Sequence, residues 1–335
     1  MRPRIQLLLG DTAGVGPELC VKVMNDLPKE AKGVQLVLTG DGRVLQEAMK
    51  AVGETLELPT IKEFAELEGI TDPVVFWDYR TEDAAAIPRA AVSEAAGREV
   101  LSSLMQSIDL ARREEIDGVV FAPFNKESMH LAGAKHYSEL ELFKEEFDRQ
   151  DIPGEFNILD GLWIARVTSH IPVAQIAGSL NEALISKTIS LLGEAQEVAG
   201  IQPRIAVASL NPHSGEHGIF GDEEGRLITP AVEMIKEKYK DWKIEGPLPA
   251  DTLFPRVLKG GYTGVVGMYH DQIQIATKLI GLERGVTLHP GMKVPIATAA
   301  HGTAFDLKGT GKAGHNALRN AVALVADMAI GAQER

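Results

Sequence analysis

SEAAGREVLSSLMQSIDLARREEIDGVVFA, residues 93–122, decides the fold class. Ser93 is a helix N-cap residue, the apolar side chains after it recur every three or four positions, and Gly118 closes the helix. Val119–Ala122 then reads as a short buried strand. The same alternation extends in both directions. Upstream, Arg4–Leu9 is a strand, GDTAGVGPE (10–18) a glycine-rich turn, and a helix starts near Pro17. Val34–Thr39 is a strand ending at Gly40-Asp41-Gly42, and Val74–Trp77 is another. Downstream, strands are expected at Trp163–Thr168, Val173–Ile176, Ile205–Leu210 and Val265–Tyr269. Helices are expected at Asn181–Ala199, Pro230–Tyr239 and from about His315 to Ile330. Strands alternating with helices predict an α/β fold with a largely parallel core.

A chain of 335 residues is comfortable for two lobes. It contains no repeat and no long polar linker, so the lobes are expected to share one sheet or exchange chain segments, with boundaries near 125–135 and 300. The net charge of −13 argues against a general nucleic-acid binder. The single cysteine, Cys20, excludes an internal disulfide and a cysteine-rich zinc site, and reads as a small buried residue. MRPRIQLLLGD has too short an apolar run for a signal peptide, and no stretch approaches the roughly 20 apolar residues of a membrane span. The expected location is the cytoplasm.

GDTAGVGPE fails as a dinucleotide fingerprint. Gly14 and Gly16 fit Gly-x-Gly-x-x-Gly, but Leu19 stands at the third position. It is either a plain strand-to-helix turn or one whose backbone N–H groups receive an anion. Three histidines share a more telling context. His170 follows WIARV, His213 lies in NPHSGEHG (211–218) after IAVASL, and His270 lies in YHDQ (269–272) after TGVVG. Loops at the carboxyl ends of buried strands are where α/β folds place ligands. A lone histidine there is most simply structural. Three in one context suit a divalent metal, for which neutral imidazole is a common ligand. Their separation demands that the tertiary fold or a subunit interface gather them.

Asp251, in GPLPADTLF (246–254), is either a helix N-cap or a carboxylate serving as general base or outer-shell partner of the metal. Lys278 is either a solvated helical lysine or a cation for an anionic substrate. HGTAFDLKGTGKAG (301–314) surrounds His, Thr, Asp and Lys with glycines and suits a ribose or adenine.

These segments together resemble the 4-hydroxythreonine-4-phosphate dehydrogenase family of pyridoxal phosphate biosynthesis. GDTAGVGPEL, APFNKE (122–127), GAKHYSELE (133–141), NPHSGE, GPLPADTLF, YHDQ with Lys278, and HGTAFDLKGTGKA carry the resemblance over nearly the whole chain. It implies a two-lobed α/β/α subunit of the isocitrate and isopropylmalate dehydrogenase type, with a cleft between the lobes. The first lobe would be 1–130 plus 302–335; the second, 131–301, would carry the metal ligands and the dimer interface. It implies a homodimer whose metal (Zn, Co, Ni, Mn or Mg) is held across the interface by His170, His213 and His270. Asp251 and Lys278 would be catalytic. His136, Tyr137, Lys278 and Thr287 would face substrate, and Gly14, Gly16, His301, Gly302, Thr303 and Asp306 would face NAD or NADP.

The chain departs from the family at the substrate. Tyr137 stands where the family has Thr, and Thr287 and Ile296 stand where it has an Asn and an Arg; Lys293 is a candidate replacement for the Arg. Losing a guanidinium that grips an anion bidentately is a large change. The implied chemistry is oxidation of a secondary alcohol with decarboxylation. Candidate substrates are 4-hydroxythreonine 4-phosphate, D-threonate or D-erythronate 4-phosphate, or a carboxylated cis-dihydrodiol of the terephthalate type. A phosphate acetyltransferase-like acyltransferase and a non-catalytic metal-binding paralogue are the competing classes.

Overall fold

The computed structural model describes residues 2–81, 86–136 and 138–335. Tyr137 lies outside them. The chain divides into two compact units. One comprises Met1–Gln150, Glu283–Thr287 and Met292–Arg335; the other comprises Asp151–Leu282 and Leu288–Gly291. The chain thus crosses between units at about 150 and again at 283–292, where the expected crossings were near 130 and 302.

In the first unit the elements run β1 (Arg4–Leu8), α1 (Gly16–Asn25), β2 (Gln35–Gly40), α2 (Gly42–Val52), β3 (Thr60–Ile61), β4 (Val74–Asp78), α3 (Glu94–Arg112), β5 (Gly118–Phe121), α4 (Lys126–Leu131) and α5 (Glu139–Glu146). The strands lie in the order β3-β4-β2-β1-β5 and all pair in parallel. Their near-continuous apolar sequences follow from burial on both faces of a parallel sheet. Val37, Val75, Val119 and Phe121 pack there against Val100, Leu104 and Ile108 of α3.

Ser93 caps α3 as expected, its hydroxyl accepting the Ala96 N–H at 3.2 Å. Such a cap contributes about 1 kcal/mol. The helix ends earlier than expected, at Arg112, and the left-handed residue that follows is Glu114 (φ 60°) rather than Gly118. Gly118 instead opens β5, where a Cβ would lie 2.4 Å from Val325 Cγ1.

The second unit runs β6 (Phe156–Leu159), β7 (Leu162–Arg166), α6 (Ile176–Ser179), α7 (Glu182–Val198), β8 (Arg204–Ala208), α8 (Thr229–Lys238), β9 (Lys243–Leu248), α9 (Ala250–Val257), β10 (Gly264–Gly267) and α10 (His270–Gly281). Its strand order is β6-β7-β10-β8-β9, parallel except for the β6–β7 hairpin. The expected strand Val173–Ile176 is instead a 3₁₀ turn leading into α6. Pro172 precedes it and Val173 is 79% exposed, so Val173 has no sheet to pack on. The chain then forms β11 (Val286–His289) and β12 (Ile296–Ala299), with β12 parallel to β5, and ends in α11 (Asn316–Gln333).

Among the described residues no helix is long and apolar enough to cross a membrane. Cys20 is fully buried on α1, as expected, and burial pushes its thiol pKa well up, which keeps it protonated and inert.

Candidate functional site

In the second unit β7, β8 and β10 run parallel, so their carboxyl ends and the loops that follow them emerge at one edge of the sheet. His170 and His213 lie on those loops, and His270 is the first residue of α10, directly after the loop from β10. Thr168 fastens the first of these loops to β10: its N–H and its hydroxyl both donate to the Met268 carbonyl, at 3.1 and 2.8 Å. This brings the His170 and His270 rings together, with centroids 5.5 Å apart and planes tilted by 43°. With metal–nitrogen bonds of about 2.0–2.1 Å, two imidazoles on one tetrahedral ion have centroids roughly 5 Å apart, so this pair fits a shared divalent ion. His270 Nδ1 lies 2.7 Å from Asp271 Oδ1. That hydrogen bond assigns the proton to Nδ1 and leaves the Nε2 lone pair for a cation, the usual outer-shell arrangement of a metal-binding histidine.

His213 occupies a separate, unusual turn. His213, Ser214, Gly215, Glu216 and His217 all have positive φ, from 42° to 79°. Four of these are not glycine, and each costs about 1–2 kcal/mol in the left-handed region. Strain of this kind persists only where the surroundings over-determine it, and it concentrates at functional sites. The His213 ring lies beside Phe220, with centroids 6.3 Å apart and planes tilted by 49°. Within this single chain it does not join the other two: among the described residues no group of three or more His, Cys, Asp or Glu side chains is gathered as a metal site.

Two residues of YHDQ that residue type alone did not mark have clear tasks. Asp271 backs His270, as above. Gln272 accepts from the Met268 N–H at 2.7 Å and donates to the Ser209 carbonyl at 2.6 Å, tying the His270 turn to the start of the His213 loop. Asp251 sits exposed in the first turn of α9; Pro249, not Asp251, is the N-cap. Lys278 is exposed on α10.

The first unit holds the nucleotide candidates. The Gly14 turn is closed on itself: Ala13 N–H donates to Asp11 Oδ1, Gly14 N–H to Asp11 O, and Val15 N–H to Thr303 O. Those three amides are therefore engaged, and the anion-binding reading of the turn loses them. Gly14 and Gly16 have a packing reason instead. A Cβ would lie 2.8 Å from Thr303 Cβ at position 14 and 2.4 Å from Leu9 O at position 16.

The 301–314 loop is locked onto α1. Glu18 accepts the Gly309 and Gly311 N–H groups at 2.6 and 3.0 Å, and Lys22 donates to the Gly311 and Ala313 carbonyls. Gly302 and Asp306 are exposed, Thr303 is buried, and Ala304 has φ 43°. Two buried polar atoms at this junction have no partner, His301 Nε2 and Asp11 Oδ2. Buried polar atoms are nearly always satisfied, so each of these two atoms calls for a water or a polar ligand. Burial raises the Asp11 carboxyl pKa against the opposing pull of the Ala13 N–H and Lys308, and burial lowers the Lys308 pKa.

His136 Nε2 pairs with Glu145 at 2.6 Å. Lys293 is engaged by Glu114 and by the Arg112 carbonyl, at 3.0 and 2.8 Å. Ile296 is buried in the core of the first unit, and Thr287 is half-buried on β11.

The chain matches the family described as Pyridoxal phosphate biosynthetic protein PdxA over residues 32–325. It belongs to the PdxA family. A Pseudomonas aeruginosa relative, provisionally named 4-hydroxythreonine-4-phosphate dehydrogenase 2, is 38% identical over 97% of both chains. A Clostridium botulinum relative, provisionally named D-threonate 4-phosphate dehydrogenase, is 32% identical over 97% of this chain and 96% of its own. The solved 4-hydroxythreonine-4-phosphate dehydrogenase of Klebsiella pneumoniae is 30% identical over 98% of both chains, with a TM-score of 0.80. The chain is thus a dehydrogenase-family α/β protein, and the acyltransferase reading falls away.

Proposed function

We propose that this PdxA-family chain is a cytoplasmic, divalent-metal-dependent, NAD(P)-linked dehydrogenase. Its substrate is a small phosphorylated hydroxy acid, 4-hydroxythreonine 4-phosphate or a four-carbon sugar-acid phosphate of the D-threonate type. The observation that carries the reading is the His170–His270 pair with Asp271 behind it. The relatives' names supply both substrate candidates. Two paired imidazoles, one oriented by a carboxylate, are a donor set suited to a divalent cation rather than to a structural hydrogen bond.

His170, His213 and His270 would hold the ion. When bound, it supplies a Lewis acid that lowers the pKa of the substrate alcohol and stabilises the negative charge left as a carboxyl group departs as CO2. Asp251, exposed in the first turn of α9, is the candidate acceptor for the alcohol proton. Lys278 is the candidate cation for the substrate's anionic end. In the first unit, His301, Asp306 and the orphaned Asp11 oxygen are the candidate partners of the nicotinamide nucleotide.

The enzyme is a homodimer in this reading. Each histidine segment is followed by exposed apolar residues: Ile171 and Val173 after His170, Ile219 and Phe220 after His213, Ile275 and Leu279 after His270. Apolar residues gathered beside an incomplete ligand set are what a partner subunit would cover.

The test is NADH or NADPH formation with a panel of 4-hydroxythreonine 4-phosphate, D-threonate and D-erythronate 4-phosphates, and a carboxylated cis-dihydrodiol. Turnover of a phosphorylated acid, abolished by chelator and restored by a divalent ion, is expected. Turnover of the unphosphorylated diol alone would overturn the substrate assignment.

A further inference from the structure

The left-handed turn that carries His213 is held from outside as well as by its own backbone. The turn is a 3₁₀-type turn, Pro212–Gly218, and at its exit Ile219 N–H donates to Glu216 O and Phe220 N–H to Gly215 O. What fixes its entry and its apex is Glu224, a carboxylate only 5% exposed. Its Oε1 accepts the N–H groups of Leu210 and Asn211, at 2.9 and 2.7 Å. Its Oε2 accepts Asn211 Nδ2 at 3.0 Å and stands against the apex, where a Cβ on Gly215 would lie 2.8 Å away. The second hydrogen of Asn211 Nδ2 goes to Glu223 Oε2 at 2.6 Å, and the Asn211 carbonyl accepts from Ser209 Oγ. Glu224 begins a π-helical turn, Glu224–Ile228, that continues directly into α8, so its backbone belongs to the rigid scaffold. Single π-helical turns are rare and recur at functional sites.

We infer that Glu224 is the positioning residue for His213: it clamps Leu210–Asn211 and the Gly215 apex, and so sets where the His213 ring is presented. The inference deepens the metal reading and rests on it for its functional half. The clamp is chemically specific. All the contacts to Glu224 are donors, and only a carboxylate offers acceptors on both oxygens. A glutamine would keep the two backbone N–H bonds but set its own amide N–H against Asn211 Nδ2. The clamp is also continuous with the other histidines, because Gln272 bonds the Ser209 carbonyl from the foot of α10.

The experiment uses the full-length protein and the variants Glu224→Ala, Glu224→Gln and His213→Ala. Amide exchange in the metal-free protein reads the turn directly. The informative amides are Ile219 and Phe220, whose acceptors lie in the turn rather than on Glu224. They should exchange faster in Glu224→Ala, with α7 and β10 unchanged. Cobalt(II) titration reads the ligand set: Glu224→Ala should weaken cobalt about 10–100-fold and alter its visible spectrum, and Glu224→Gln should fall between. A merely stabilising residue would lower the melting temperature and leave the cobalt spectrum alone. Wild-type exchange at Ile219 and Phe220, or wild-type cobalt binding in both Glu224 variants, overturns the inference. If His213→Ala binds cobalt normally, the metal reading fails while the exchange result still decides whether Glu224 holds the turn.

Discussion

At His270 the two ring nitrogens have different tasks. Nδ1 is fixed by Asp271, and Nε2, on the ring beside His170, is the nitrogen offered to the proposed ion. Asp271 is itself largely exposed, so its value lies in orientation rather than in burying a charge pair. Asp271→Ala should weaken divalent-metal binding about 10–100-fold by calorimetry with little change in melting temperature. Unchanged affinity would remove Asp271 from the site. Asp11 makes a second case at the same scale. Burial raises its carboxyl pKa in the folded chain, so the protonated form is the one folding favours. That contribution is complete below the ordinary Asp pKa of about 3.9 and is lost as pH rises through the higher folded value. Asp11→Asn mimics the protonated form. It should therefore melt higher than wild type at neutral pH, by roughly 2–4 °C per kcal/mol gained, and lose that advantage in acid. A lower melting temperature at neutral pH would mean that Lys308 depends on the charge more than burial opposes it.

Among the elements, α3 sets packing against propensity. Gly97 sits in its first turns, where alanine is the better helix former by about 1 kcal/mol. Yet a Cβ there would come within 1.8 Å of the Ser128 carbonyl oxygen on α4. Gly97→Ala should thus destabilise by about 1–3 kcal/mol in a denaturant melt, against the propensity trend. A stabilised variant would show that α3 and α4 are not in such close contact. Local pattern made several elements readable: the capped helices at Ser93 and Asn181, and the buried apolar runs of β1, β2, β5, β8 and β10. It failed where tertiary pairing decides. β9 (KIEGPL) is polar, contains a proline and forms at an edge beside β8, while β12 (IATA) takes its strand state from β5. Val173–Ile176 misled in the other direction: Val173 faces solvent, and Ile176 is buried as the first residue of a helix rather than in a strand.

Over the whole molecule, the histidines were legible because each ends an apolar run, and strand ends gather in a parallel sheet. Glu224 and Gln272 were not, because each acts through partners outside its own segment and neither has a distinctive local pattern; Asp11 was not, because its burial is a tertiary property. The exposed apolar residues carry the assembly claim. Leu279 is 83% and Ile275 63% exposed on α10, the helix that begins at His270. Replacing both by Asp should convert a dimer to a monomer in sedimentation and lower metal content together with it. A variant that stays dimeric would place the interface elsewhere.

The most direct measurement of the central claim is metal content per chain in the purified protein, alongside His170→Ala, His213→Ala and His270→Ala. The account predicts a bound divalent ion in the wild type and its loss, with dehydrogenase activity, in each of the three variants. A wild-type protein that neither retains nor takes up a divalent ion, or a His213→Ala protein that holds one as firmly as wild type, would contradict it.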